Sequence, residues 1–128
     1  MRKARRKPFR LQHRAAVTLT VLRLLSRWEL SARDQRALLG LTGRTKIKAP
    51  ELSAELDHAP DLRQRVGHLF AIYKNLATLF PENPELVFSW PTSRNRALRG
   101  RRPLTIMKSK ETGLLKVRQH TDAMLANG

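Results

Sequence analysis

The sequence predicts an all-α chain, a small helical bundle strung along one long central helix. Two observations predict it. Leu62, Val66, Leu69, Tyr73, Leu76 and Phe80 recur at alternating four- and three-residue steps, which puts them on one face of a helix over 60–80. Ile72 and Leu79 widen that face, as a helix packed on two sides requires. The other apolar segments are short and helically spaced, and Gly40, Pro50, Pro60, Pro81, Pro84, Pro91 and Pro103 punctuate them. A chain of 128 residues makes one domain, or two small helical subdomains sharing a core. The divisions read as a disordered basic arm over 1–10, a helix-turn-helix-like region over 11–59, and a C-terminal helical domain over 60–128.

The elements follow in order. Residues 11–29 form a helix with Ala15, Leu22 and Leu25 on one face and Val21, Leu24 and Trp28 beside them. Val17, Thr18, Thr20 and Val21 are β-branched and weaken its propensity without overriding its period. Ser31 and Asp34 make a capping-box-like start for a short helix that passes Leu38 and Leu39 and stops at Gly40. A second short helix is expected to begin near Thr42, before Pro50, which completes the outline of a helix-turn-helix. Thr42, Arg44, Thr45, Lys46 and Lys48 would then face a DNA groove; the competing reading is a solvated loop. Glu51–Leu56 adds one or two helical turns, with Leu52 and Leu56 inward, and His58 lies in a break.

Pro60 and Asp61 start the central helix favourably, since proline loses nothing in the first turn and an acid complements the dipole. Tyr73 is expected in the core, with its hydroxyl on a backbone group. Asn83 caps a helix over 83–90 with Pro84 at its first position and Leu86, Val87 and Trp90 inward. Residues 92–103 form a polar, arginine-rich loop, and Pro103–Lys108 is a short helix. Lys110–Ala126 is the last helix, with Leu114, Val117, Thr121, Met124 and Leu125 on one face. Gly113 reads as an internal weak point costing about 1 kcal/mol against alanine.

The net charge of +16 is unevenly spread. Residues 15–93 are nearly balanced, while 1–14 and 94–118 are strongly cationic. Polyanions are the implied partners, either nucleic acid or an acidic protein. Five arginines between 94 and 102 would repel one another unless a partner neutralises them. The absence of cysteine excludes a disulfide framework, a thiolate metal site and a cysteine nucleophile. The scattered histidines make no metal pair, and His68 has Gln64 and Ile72 at four-residue spacing. No nucleophile, base and orienting group share a recognisable spacing, so neither an enzyme nor a cofactor is expected. The apolar run Ala15–Leu25 is too short to span a bilayer and contains Arg23, and no cleavage site follows the basic start. The expectation is a cytoplasmic protein without a membrane partner.

Ile72, Tyr73, Lys74, Leu76, Leu79 and Phe80, then Pro84 and Trp90, then Asn95, Leu98, Gly100, Pro103 and Leu104 form a pattern. It resembles the Xre/MbcA/ParS antitoxin family over roughly residues 15–128. The resemblance implies the antitoxin of a type II toxin–antitoxin pair. Its partner would be a cognate RES-domain toxin, an NAD-degrading enzyme whose active site it occludes. It would also repress its own operon by binding operator DNA, as a homodimer within a hetero-oligomeric complex. The toxin-facing residues would be Arg94, Asn95, Arg96, Arg99, Gly100, Arg101 and Arg102, with Met124, Leu125, Asn127 and Gly128 as a plug at the chain end. Read from the residues alone, that end is equally a frayed helix terminus. This sequence departs from the family pattern at Arg102, where a small polar residue is usual, and at Thr105, where an acid is frequent. The alternative is a stand-alone basic nucleic-acid-binding protein, a small repressor with no toxin partner.

Overall fold

The computed structural model describes residues 11–109 and 112–128. The basic arm expected over 1–10 lies outside them. Among the described residues are seven α-helices and no strand. They are α1 (Leu11–Arg27), α2 (Ala32–Leu38), α3 (Ala49–His58), α4 (Pro60–Leu79), α5 (Pro84–Ser89), α6 (Pro103–Lys108) and α7 (Gly113–Asn127). Two 3-10 turns, Trp90–Thr92 and Arg96–Leu98, lie between α5 and α6.

The central helix forms as its period requires. Leu62, Val66, Leu69, Ile72, Asn75 and Leu76 are its buried positions, and Phe80 caps it before Pro81. α1 and α3 pack beside it on the N-terminal side, and α7 lies along it on the other, with α6 against α7. One continuous aliphatic core results, running from Val21 and Leu25 through Leu52 and Leu69 to Met107, Leu114 and Val117. Polar ties lock the layers: Thr18 to Ser53 at 2.8 Å between α1 and α3, and Lys108 to Asp34 at 2.9 Å between α6 and α2. Arg14 pairs with Asp57.

The expected caps are present. Ser31 accepts from the Asp34 amide at 3.1 Å, and Asn83 from the Leu86 amide at 3.2 Å. α1 ends two residues earlier than its period suggests. Glu29 turns left-handed at φ 59°, and the Leu30 amide reaches back to the Leu25 carbonyl at 3.3 Å while that of Glu29 bonds Ser26 at 2.8 Å. This is a Schellman closure, with Leu25 and Leu30 both buried where the motif pairs its apolar residues.

The helix expected to begin near Thr42 does not form. Residues 41–48 are a non-helical loop, and the next helix begins at Ala49. The cause is Arg36. Its buried guanidinium donates to the Thr45 carbonyl at 2.6 Å and the Thr42 carbonyl at 3.1 Å, taking acceptors that a helix would use internally. It also holds both Glu51 oxygens at 3.1 Å, which fixes the far end of the loop to the start of α3. Through this hydrogen bond Arg36 keeps the Glu51 carboxyl below its usual value.

Three smaller expectations also change. The last helix starts at Gly113, so this glycine is its first residue and is packed, not an interior weak point. Lys110 and Glu111 lie outside the described residues. Tyr73 is half-buried and stacks on Phe88, with ring centroids 5.9 Å apart, and its hydroxyl bonds nothing among the described residues.

Candidate partner-binding surface

The arginine loop is built around Asn95. Its side chain accepts from the Ala97 amide at 2.9 Å, which starts the 3-10 turn, and its carbonyl accepts from Leu98 at 3.0 Å and Gly100 at 2.8 Å. Its own amide closes the loop onto the Arg101 carbonyl at 3.1 Å. Arg99 and Gly100 adopt φ of 62° and 79°, and this left-handed pair folds the chain back. Glycine takes that conformation freely; an arginine takes it at a cost, which the closed ring of bonds offsets.

Three of the five guanidinium groups brace the same loop. Arg94 donates to Gly100 at 3.2 Å, Arg101 to Leu98 at 3.2 Å and Arg102 to Thr92 at 2.9 Å, all on carbonyl oxygens. Arg96 and Arg99 are exposed and make no such bond. Among the described residues no carboxylate pairs with any of the five. The loop is thus a shaped cationic surface whose charge is left for another molecule.

Its base is fixed to α7. Trp90 is buried and stacks on His120 with ring centroids 6.2 Å apart. α7 in turn is pinned to α4 by a buried amide: Asn75 donates to Thr121 at 2.9 Å and to Asp122 at 2.8 Å. One turn and more away, the Arg118 guanidinium lies 3.2 Å from His68 Nδ1. Burial first, then the charges of Arg118 and Arg65, lower the His68 pKa and favour the neutral ring that can accept this bond.

The chain end is more ordered than a free plug. α7 runs to Asn127, and the Gly128 amide bonds the Met124 carbonyl at 2.9 Å. Met124 packs against the core and Leu125 is half-buried, so neither side chain projects freely; Asn127 and Gly128 are exposed. On the N-terminal side, Thr42 and Thr45 hold the Arg36 cradle, while the side chains of Arg44, Lys46 and Lys48 are exposed. The helix after that loop carries Glu51, Glu55 and Asp57 and no lysine or arginine, the wrong sign for a helix lying in a DNA groove.

Residues 75–126 match the antitoxin Xre/MbcA/ParS C-terminal toxin-binding domain. The chain belongs to the Xre/MbcA/ParS antitoxin family. The matched segment is a physical unit of this antitoxin. It begins at Asn75, the residue that ties α4 to α7, includes the arginine loop, and ends within the last turn of α7. The antitoxin is also 34% identical over 103 residues to the uncharacterized protein y4oB of Sinorhizobium fredii, an overlap covering 79% of this chain and 78% of the relative. No solved structure matches it. The domain gives the antitoxin a place in a toxin–antitoxin pair with a toxin as its partner. Among the described residues no helix is long and apolar enough to cross a membrane.

The signal for the loop was in the sequence, because Asn95, Gly100 and Pro103 have fixed roles in its shape. The anchoring residues Asn75, His68 and His120 carried no such signal. Each depends on a partner 30 or more positions away, which local spacing does not reveal.

Proposed function

We propose that the antitoxin neutralises a RES-domain, NAD-degrading toxin by seating the arginine loop and the exposed end of α7 over that enzyme's active-site entrance. The observation that carries this is the loop over 94–102: five exposed arginines in one fixed shape, with no acid of their own. An enzyme that takes an anionic dinucleotide presents a mouth that also attracts cations, so charge and shape both favour docking. Arg96 and Arg99 would make the decisive pairs, because nothing inside the chain uses them. Met124 acts here as a core residue that positions the helix end, and the contact falls to Asn127 and Gly128. Operator binding by the antitoxin would rest on charge alone, since no recognition helix follows α2.

The test is co-expression with the cognate toxin. Wild-type antitoxin should restore growth and cellular NAD. The double variant Arg96→Glu/Arg99→Glu should fail to do so at equal abundance and equal melting temperature. Full protection by the variant would refute the assignment of the loop.

A further inference from the structure

A groove with a different chemistry lies between α1 and the segment 46–49. Its floor is aliphatic, from Leu19, Leu22 and Ile47, and it encloses about 610 Å³. Leu19 is 50% exposed, more than any other large apolar side chain among the described residues. Every charged residue lining the groove is cationic: Arg23, Arg27, Lys46 and Lys48. None of the four forms an ion pair among the described residues, although Lys48 helps keep Glu51 ionised and Arg27 also lies over the Phe88 ring at 4.1 Å. The wall is preformed, because Arg36 fixes the loop carbonyls and Ile47 is 3% exposed.

We propose that this groove is a second docking surface of the antitoxin, and that its occupant is an amphipathic helix of a partner protein whose apolar stripe is flanked by Asp and Glu. The apolar floor takes residues spaced three and four apart, and the cationic walls pair with the flanking acids. A second copy of the chain fits badly, because a two-fold contact sets the same four cations against themselves. The chain's own residues 1–10 fit no better, being rich in Arg and Lys with no acid. Nucleic acid would satisfy the walls but leave Leu19 and Leu22 uncovered, and the groove offers no aromatic or amide side chain to a base. The surface lies wholly before residue 75, outside the matched toxin-binding segment, so it stands independently of the toxin reading.

The experiment uses the full-length antitoxin, methyl-labelled, in titrations followed by NMR. The probe is a synthetic helical peptide with Leu at i, i+3, i+4 and i+7 and flanking Glu. A second peptide carries Lys in place of Glu, and a short DNA duplex is the competitor. The acidic peptide should shift the methyls of Leu19, Leu22 and Ile47, with an affinity that falls as salt rises. Lys46→Glu/Lys48→Glu should weaken it about tenfold, as expected for reversing two rim charges. Leu19→Gln should weaken it without lowering the melting temperature, since the side chain is already half exposed. Equal binding of the Lys peptide, shifts away from these methyls, absence of binding, or displacement of the peptide by DNA would each overturn the proposal.

Discussion

Gly113 decides between two opposite expectations. If it were a weak point inside an exposed helix, Gly113→Ala would stabilise the protein by about 1 kcal/mol through helix propensity. The structure reverses the sign. Gly113 is buried where α7 meets α6, and an added Cβ falls far inside the van der Waals envelope of the Ile106 carbonyl oxygen and 3.0 Å from that of Met107. Both obstacles are backbone in a packed helix, so no flexible side chain can give way. Overpacking of this kind costs about 1–3 kcal/mol, and a clash with fixed backbone belongs at the upper end. Subtracting the propensity gain leaves a net destabilisation of about 2 kcal/mol. For a domain of this size that lowers the melting temperature by roughly 6–10 °C. Gly67→Ala is the matched control. Gly67 lies in α4, is exposed, and an added Cβ meets nothing within 4 Å, so it should gain up to about 1 kcal/mol. Urea unfolding of the two variants beside the wild type reads both signs. A stabilised Gly113→Ala would refute the α6–α7 packing described above.

Three further outcomes follow from single contacts. Asn75→Ala removes the two amide bonds to Thr121 and Asp122 and should cost about 2 kcal/mol, with faster hydrogen exchange concentrated in α7; unchanged exchange there would contradict the anchoring role. Glu29→Gly relieves a left-handed residue at φ 59° and should stabilise by about 0.5–1 kcal/mol in thermal unfolding; a loss would show that its side chain matters more than its backbone. The folded pKa of His68 lies below its unfolded value, so its contribution is present above pH of about 6.5 and fades as pH falls towards the folded value. Wild-type protein should therefore lose stability between pH 7.5 and 5 by an increment that His68→Gln lacks, and parallel pH profiles would remove His68 from the account.

Where local chemistry decides structure, the sequence was readable. The period of 60–80, the Asn83 cap with Pro84 behind it, and Pro103 at the head of α6 all act within a few residues, and all stand as expected. Where a distant group decides, it was not. The loop over 41–48 has the length and glycine placement of a helix-turn-helix, but Arg36 captures its carbonyls from the preceding helix. Gly113 has an ordinary position in the sequence, and only the approach of the Ile106 carbonyl gives it a role. For the surface, the arginine cluster was visible as charge. That three of its guanidinium groups brace the loop and two are left outward could be learned only from the folded loop.

The most direct test of the central claim is a titration of purified cognate RES-domain toxin with antitoxin while NAD loss is followed. The account predicts stoichiometric inhibition by the wild type. It predicts inhibition weakened by at least about tenfold for Arg96→Glu/Arg99→Glu, because both cations point outward and reversal turns two attractions into repulsions. Undiminished inhibition by that variant, or NAD loss that the wild-type antitoxin does not slow, would contradict it.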